Sequence, residues 1–161
     1  MYKVALIQLH PQPGQIEHNY AQAVAFIRQA ATDESDLAVL TDSIWAICLV
    51  PGSFLEKHQH QDAQKWILMD VTYFIDKSGQ IAGRYAKKNP WHPERPFTSG
   101  SKHDAHVAFN TPLGKVGLLI CWDLAFPDAF RELVSQGAKI IVLPPFWTVT
   151  SRPKRRPHTN P

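Results

Sequence analysis

Apolar positions along the chain fall into short runs separated by proline, glycine and polar clusters. Val4 to Leu9 is such a run, closed by Pro11, Pro13 and Gly14, and predicts a buried strand. Tyr20, Ala23, Val24, Ile27, Ala30 and Ala31 recur at helical spacing, which predicts a helix over about 20–31 with one apolar face and Asn19 as its cap. Leu37 to Leu40 and Ile47 to Val50 predict two more strands, the second stopped by Pro51-Gly52. Trp66 to Asp76 is a longer strand rich in aromatic and β-branched residues. It turns at Asp76-Lys77-Ser78-Gly79 and returns as Ile81 to Ala86. The prolines of Asn89 to Gly100 predict a loop. Val107 to Phe109 and Val116 to Ile120 flank Thr111-Pro112-Leu113-Gly114, a second hairpin. Pro127 opens a helix to about Gln136, with Phe126, Phe130, Leu133 and Val134 inward, and Gly137 ends it. Lys139 to Leu143 is a last strand before Pro144-Pro145.

Strands alternating with helices, plus hairpins, predict an α/β fold with a mixed sheet. One join is physically odd. Only residues 41–46 separate the strands Leu37–Leu40 and Ile47–Val50. A parallel crossover ordinarily takes a dozen residues or more. Either these strands are antiparallel neighbours, or a crossover helix is absent.

Composition narrows the class. The chain has 161 residues, long enough for one domain with its own core. Its net charge of +3 is unevenly placed: residues 151–161 hold Arg152, Lys154, Arg155 and Arg156 and no acid, and the remainder carries 13 bases against 14 acids. The body is therefore near neutral, which argues against a nucleic-acid-binding face. The apolar run Val116 to Cys121 is far too short to span a bilayer. The N-terminus turns polar at Gln8 and His10, unlike a signal peptide, and two cysteines make no disulfide framework, so a cytoplasmic location is expected.

Cys121 ends an apolar strand just before a helix start. A thiol there can meet free backbone N–H groups that favour thiolate and hold a developing oxyanion, although a buried packing cysteine has the same pattern. Lys87 and Lys88 follow the hairpin strand, and spacing does not choose between a solvated strand end and a lysine aimed into a site. Trp91-His92-Pro93-Glu94-Arg95-Pro96 is a rigid loop that could wall a site. His58, His60, His103 and His106 show no metal-ligand spacing with the cysteines, so no metal and no cofactor is expected.

Gly117-Leu118-Leu119-Ile120-Cys121-Trp122-Asp123-Leu124-Ala125-Phe126-Pro127 resembles the nucleophile motif of the nitrilase superfamily of carbon–nitrogen hydrolases. Val4 to Gln8 resembles that family's first strand. Tyr73 to Asp76, Gly79, Gly83 and Tyr85-Ala86-Lys87 resemble its hairpin and lysine motif, and the stretch from Lys88 to Arg95 is most like fungal members. The resemblance implies a four-layer α-β-β-α sandwich, with Cys121 as nucleophile on a nitrile or amide carbon. Lys87 and the backbone N–H of Trp122 would stabilise the tetrahedral intermediate, with Glu94 orienting the lysine. It implies a small-molecule nitrile or amide as partner and leaves homo-oligomer formation open.

Two departures stand against the family pattern. Its glutamate base follows the second strand, where this chain has Thr41-Asp42. Asp42 either stands in, one methylene shorter, or is a junction residue where the crossover helix is missing. After Trp147 the chain becomes basic and proline-rich without resembling the family. The expected organisation is a partial hydrolase domain over 1–147, incomplete at its C-terminus, and a disordered tail over 148–161. Weak or no hydrolase activity follows from the altered base and the shortened chain. The alternative is a non-catalytic remnant that associates with an intact paralogue. Contact of the tail with nucleic acid or another acidic partner is a third, weaker reading.

Overall fold

The frame is set by strands whose alternate side chains enter two different cores. A computed structural model of the chain describes residues 2–7, 12, 15–39, 47–59 and 66–145. Its first sheet contains β1 (Val4–Leu6), β2 (Leu37–Val39), β3 (Cys48–Val50), β4 (Ser53–Gln59), β5 (Trp66–Ile75) and β6 (Ile81–Ala86). The order is β1-β2-β3-β5-β4, with β6 on the other edge of β5. The second sheet has the order β7-β8-β9, from β7 (Phe109–Thr111), β8 (Gly114–Leu118) and β9 (Ile140–Val142). Both sheets are mixed: β1, β2 and β3 run parallel, as do β8 and β9, and the remaining pairs are antiparallel.

Period-two alternation assigns each side chain to a layer. Leu37, Cys48, Val50 and Phe74 point between the sheets and meet Val116, Leu118, Ile120 and Val142. Ala38 and Leu49 point the other way, onto Ala23, Ile27 and Ala30 of α1 (Ile16–Thr32). On the far side, Leu133 of α2 (Pro127–Ser135) packs where Gly117 leaves room. The layers run α1, first sheet, second sheet, α2, the sandwich expected from the sequence. Among the described residues no helix is long and apolar enough to cross a membrane.

The odd join is resolved: β2 and β3 are parallel, in the register Leu37↔Cys48, with residues 40–47 between them. Eight residues are fewer than the dozen that a helical crossover ordinarily takes. Asp42 lies outside the described residues. The outer face of β4, β5 and β6 carries polar groups instead. Tyr73 hydroxyl donates to Glu56, and Arg84 donates to both at 3.2 and 2.9 Å.

Four expectations need correction. Helix α1 starts earlier, at Ile16, and Asn19 is not its cap. The Asn19 amide instead accepts from the Gln12 backbone N–H at 2.9 Å and donates to its carbonyl at 2.8 Å, clasping the incoming chain. Tyr20 is half exposed, because Ile27 with the small residues Ala23 and Ala30 already fills the contact with the sheet. In α2 the inward residues are Ala129 and Leu133, whereas Val134, 100° round the helix from Leu133, and Phe126, just before the helix, lie toward solvent. The strand β4 was not expected: its sequence, Ser53 to Gln59, has charged residues on both faces, and pairing along seven residues of β5 forms it.

Gly83 shows how closely the sheets approach. A Cβ there would lie 2.2 Å from the Phe109 ring, which itself packs edge-on to Phe74 at 5.7 Å between centroids. Gly83→Ala should therefore destabilise the fold by about 1–3 kcal/mol, read as a lower urea midpoint with an unchanged slope.

Candidate active site

The end of β8 and the end of β6 meet between the sheets, and the chemistry gathers there. After Leu118 the chain runs through Leu119 and Ile120 into a 3-10 turn, Cys121–Ala125. Cys121 takes φ +43°, a left-handed conformation that costs a residue with a Cβ about 1–3 kcal/mol. Two features hold it. The Cys121 N–H donates to Pro144 O at 3.1 Å, and the Asp123 N–H donates back to Ile120 O at 3.0 Å. The N–H between those two belongs to Trp122. The Cys121 side chain is half-buried, whereas Cys48 is buried in the core between the sheets, and the two form no disulfide.

Lys87 follows β6 directly. Of the two adjacent lysines, Lys87 is the one that enters the protein, with its side chain 1% exposed; Lys88 is half-buried. A buried ammonium requires anionic partners. Lys87 Nζ donates to Glu94 Oε2 at 2.6 Å and to Asp70 Oδ2 at 3.4 Å, and it lies within electrostatic reach of Cys121. Burial alone would lower the lysine pKa. The bond to Glu94, with the charges of Asp70, Glu94 and Cys121, outweighs it, so the group is held above its ordinary value and stays protonated at neutral pH.

Glu94 closes the short 3-10 turn His92–Glu94, and its Oε2 also accepts the Trp91 N–H at 3.0 Å. One carboxylate thus fixes both the loop and the lysine. The loop sets two aromatic side chains beside the cysteine turn: Trp91 and His92 lie 6.4 and 6.2 Å from the Trp122 ring, centroid to centroid. Arg95 turns away and donates to Pro90 O at 3.3 Å. His58 pairs with Glu56 beside Arg84, and His106 pairs with Glu132 and stacks on Tyr85 at 5.8 Å between centroids. His60 lies outside the described residues.

Hydrophobic patterning did not single out Asp123 or Asp70. Asp123 is fully buried. Its Oδ2 accepts the Tyr85 hydroxyl at 2.8 Å and the Ile120 N–H at 3.0 Å, and its Oδ1 accepts the Asn89 N–H and side-chain amide at 3.1 and 2.9 Å. Burial first, and then the Asp123 charge, push the Tyr85 hydroxyl far above its ordinary pKa, so it remains a donor. A local signal for Asp123 does exist: an acid three residues after Ile120 can reach back to that N–H. For Asp70 the strand pattern gives none.

The arrangement brings together four of the five residues singled out in the sequence, Cys121, Lys87, Glu94 and Trp122. A sulfur beside a buried cation, at the start of a turn that offers an N–H, can attack an electrophilic carbon and hold the resulting anion.

Comparison with known proteins identifies the relatives of this chain. The sequence model of the family described as carbon-nitrogen hydrolase matches residues 45–159. A probable nitrilase of Schizosaccharomyces pombe is 32% identical over 90 residues, 55% of this chain and 32% of that protein. A nitrilase of Pyrococcus abyssi is 27% identical over 188 aligned positions, 98% of this chain and 70% of that protein. That alignment has more positions than the chain has residues, so the relative carries internal residues that this chain lacks. Among solved structures, Saccharomyces cerevisiae Nit3, a member of branch 10 of the nitrilase superfamily, superposes with a TM-score of 0.77 at 20% identity, over 92% of this chain and 65% of that one. A carbon-nitrogen hydrolase of Helicobacter pylori gives 0.73 at 19% identity, over 94% and 63%. The chain thus spans about a third of the S. pombe relative and under two thirds of either solved structure.

Removing the Asp123 carboxylate should be costly, because four donors lose one acceptor group. Asp123→Ala is expected to lose about 3–5 kcal/mol in denaturant unfolding. Asp123→Asn, which keeps one acceptor oxygen, should fall between it and the parent.

Proposed function

This chain belongs to the carbon–nitrogen hydrolase family, and from that premise we propose that Cys121 is an acyl-accepting nucleophile for a small amide or nitrile. The observation that carries the reading is the left-handed Cys121 at the end of β8, within electrostatic reach of a buried, protonated Lys87. The cysteine sulfur bonds to the amide carbon, and the carbonyl electrons move onto oxygen. Lys87 and the Trp122 N–H stabilise that oxyanion. The C–N bond then breaks, nitrogen leaves with a proton, and a thioester remains. Water attacks the thioester, the C–S bond breaks, and acid and thiol are released. With a nitrile, the first adduct is a thioimidate, and water expels ammonia to give the same thioester. Glu94 orients the lysine and does not itself touch substrate.

Turnover is weak in this reading. The residue that would serve as base is Asp42 in place of a glutamate, on a segment too short to hold the usual crossover. A displacement of about 1 Å in such a group can cost ~100-fold. The domain organisation follows the same lines, a hydrolase domain over 1–147 and a basic segment over 148–161. The second reading, a non-catalytic relative acting by association with an intact paralogue, draws support from the eight-residue link between parallel strands and from exposed apolar side chains such as Leu55 and Trp66.

Incubation with a panel of small amides and nitriles should leave an acyl adduct on Cys121, detected by intact mass and peptide mapping, with slow release of product. Cys121→Ala should abolish the adduct, and Lys87→Met should slow its formation about 100-fold or more. Rapid turnover lost in Cys121→Ala would overturn the weakness. A cysteine left unmodified throughout the panel, and labelled by iodoacetamide no faster than an ordinary thiol, would overturn the nucleophile and favour the second reading.

A further inference from the structure

The nucleophile, lysine and Glu94 leave one charged group at the site without a task. Asp70 lies in β5, with its side chain 16% exposed, one residue before Val71, which pairs with Ala86 at the end of β6. The Lys87 backbone N–H donates to Asp70 O at 2.8 Å, which fixes the two residues side by side. The Asp70 carboxylate then reaches the same ammonium that Glu94 holds. One carboxylate would neutralise Lys87. A second, partly buried carboxylate costs desolvation that a neutral acceptor would avoid.

The geometry points to Asp70 as a positioning residue that acts through Lys87, and we propose that it has two effects. It is the second anchor that fixes where the remaining ammonium N–H points, and its charge opposes formation of the Cys121 thiolate. The inference rests on the reading of Cys121 as nucleophile. When Asp70 and Glu94 are both ionised, the lysine cluster carries one net negative charge. When Asp70 holds a proton, the cluster is neutral, and the thiolate forms more easily. The groups that face Asp70 are Lys87 from the end of β6, Glu94 from the 3-10 turn and the Ser53 hydroxyl from β4, with Cys121 beyond the lysine. Burial raises the Asp70 carboxyl, and the bonds from Ser53 and Lys87 and the lysine charge only partly offset it. Its proton is therefore lost at a higher pH than that of an ordinary aspartate.

Two readouts on the full chain test this. One is the pH dependence of Cys121 alkylation by iodoacetamide, with Cys48 followed in the same digest as a reporter of unfolding. The other is the titration of the Lys87 Nζ resonance in protein carrying 15N-lysine. Asp70→Asn keeps the shape and removes the charge. It should move the midpoint of the Cys121 profile down by about one pH unit, a tenfold gain in thiolate below the midpoint, and should lower the pH at which Lys87 deprotonates. If Asp70→Asn exposes Cys48, Asp70→Ser replaces it; the smaller hydroxyl also removes the charge and should move the Cys121 midpoint down in the same direction. A midpoint and a lysine titration both unchanged in a folded variant would overturn the inference, even if stability fell. If the parent Cys121 alkylates as an ordinary thiol, the nucleophile reading fails on its own terms. The lysine titration then decides separately whether Asp70 holds Lys87.

Discussion

A fully buried carboxylate with no cation bonded to it is tolerated only when hydrogen bonds replace the lost water, and Asp123 meets that condition with four donors. The donors come from both sides of the site. Tyr85 and Asn89 flank Lys87 in sequence, and Ile120 immediately precedes Cys121. One charge therefore fastens the lysine segment, carried by the first sheet, to the cysteine turn, carried by the second. Sheet packing alone would not set that relation, because apolar side chains such as Val116 and Phe74 tolerate small slips that a hydrogen bond does not. The strain at Cys121 depends on the same contact: the turn that forces φ positive is closed by Asp123, through its backbone and its side chain.

The lysine is organised by a parallel device. Glu94, the third residue of its 3-10 turn, reaches back to the N–H preceding the turn, just as Asp123 does, and uses the same oxygen to hold a second group. In each case a carboxylate that caps a short turn also bonds groups outside that turn. Local chain geometry is thereby converted into the placement of a distant side chain. The aromatic contacts of Trp91 and His92 with Trp122 follow from this, since the loop that bears them is anchored at Glu94.

These devices explain which parts were legible in the sequence. The period-two strands, the α1 face around Ile27 and the hairpin at Asp76 to Gly79 follow from hydrophobic alternation and turn chemistry. Cys121, Lys87 and Glu94 lie in contiguous motifs, so resemblance reached them, and with them the layered fold. Asp123 and Asp70 were passed over because burial of an acid depends on donors far away in the chain; the reach back to Ile120 is the one local trace Asp123 leaves, and Asp70 leaves none. Strand β4 was missed for a related reason. Ser53 to Gln59 has no apolar face of its own, and what orders it is the backbone ladder to β5. Asn19 had the chemistry of a cap, yet its amide found a better pair of partners in the Gln12 backbone.

The short link between β2 and β3 has a consequence that separates it from the site. Each of these strands is only three residues long, so the return path is about 10 Å, well within the reach of eight extended residues. A parallel pair can therefore form here without a crossover helix, which longer strands would need. The cost falls on the outer face of the first sheet, where α1 covers β1, β2 and β3 while β4, β5 and β6 present Glu56, Tyr73 and Arg84. Lys87, Asp70, Glu94, Cys121 and Asp123 all stand on residues 70–123, and their mutual bonds draw on none of the residues of the link. The order of this cluster therefore does not depend on the length of that link.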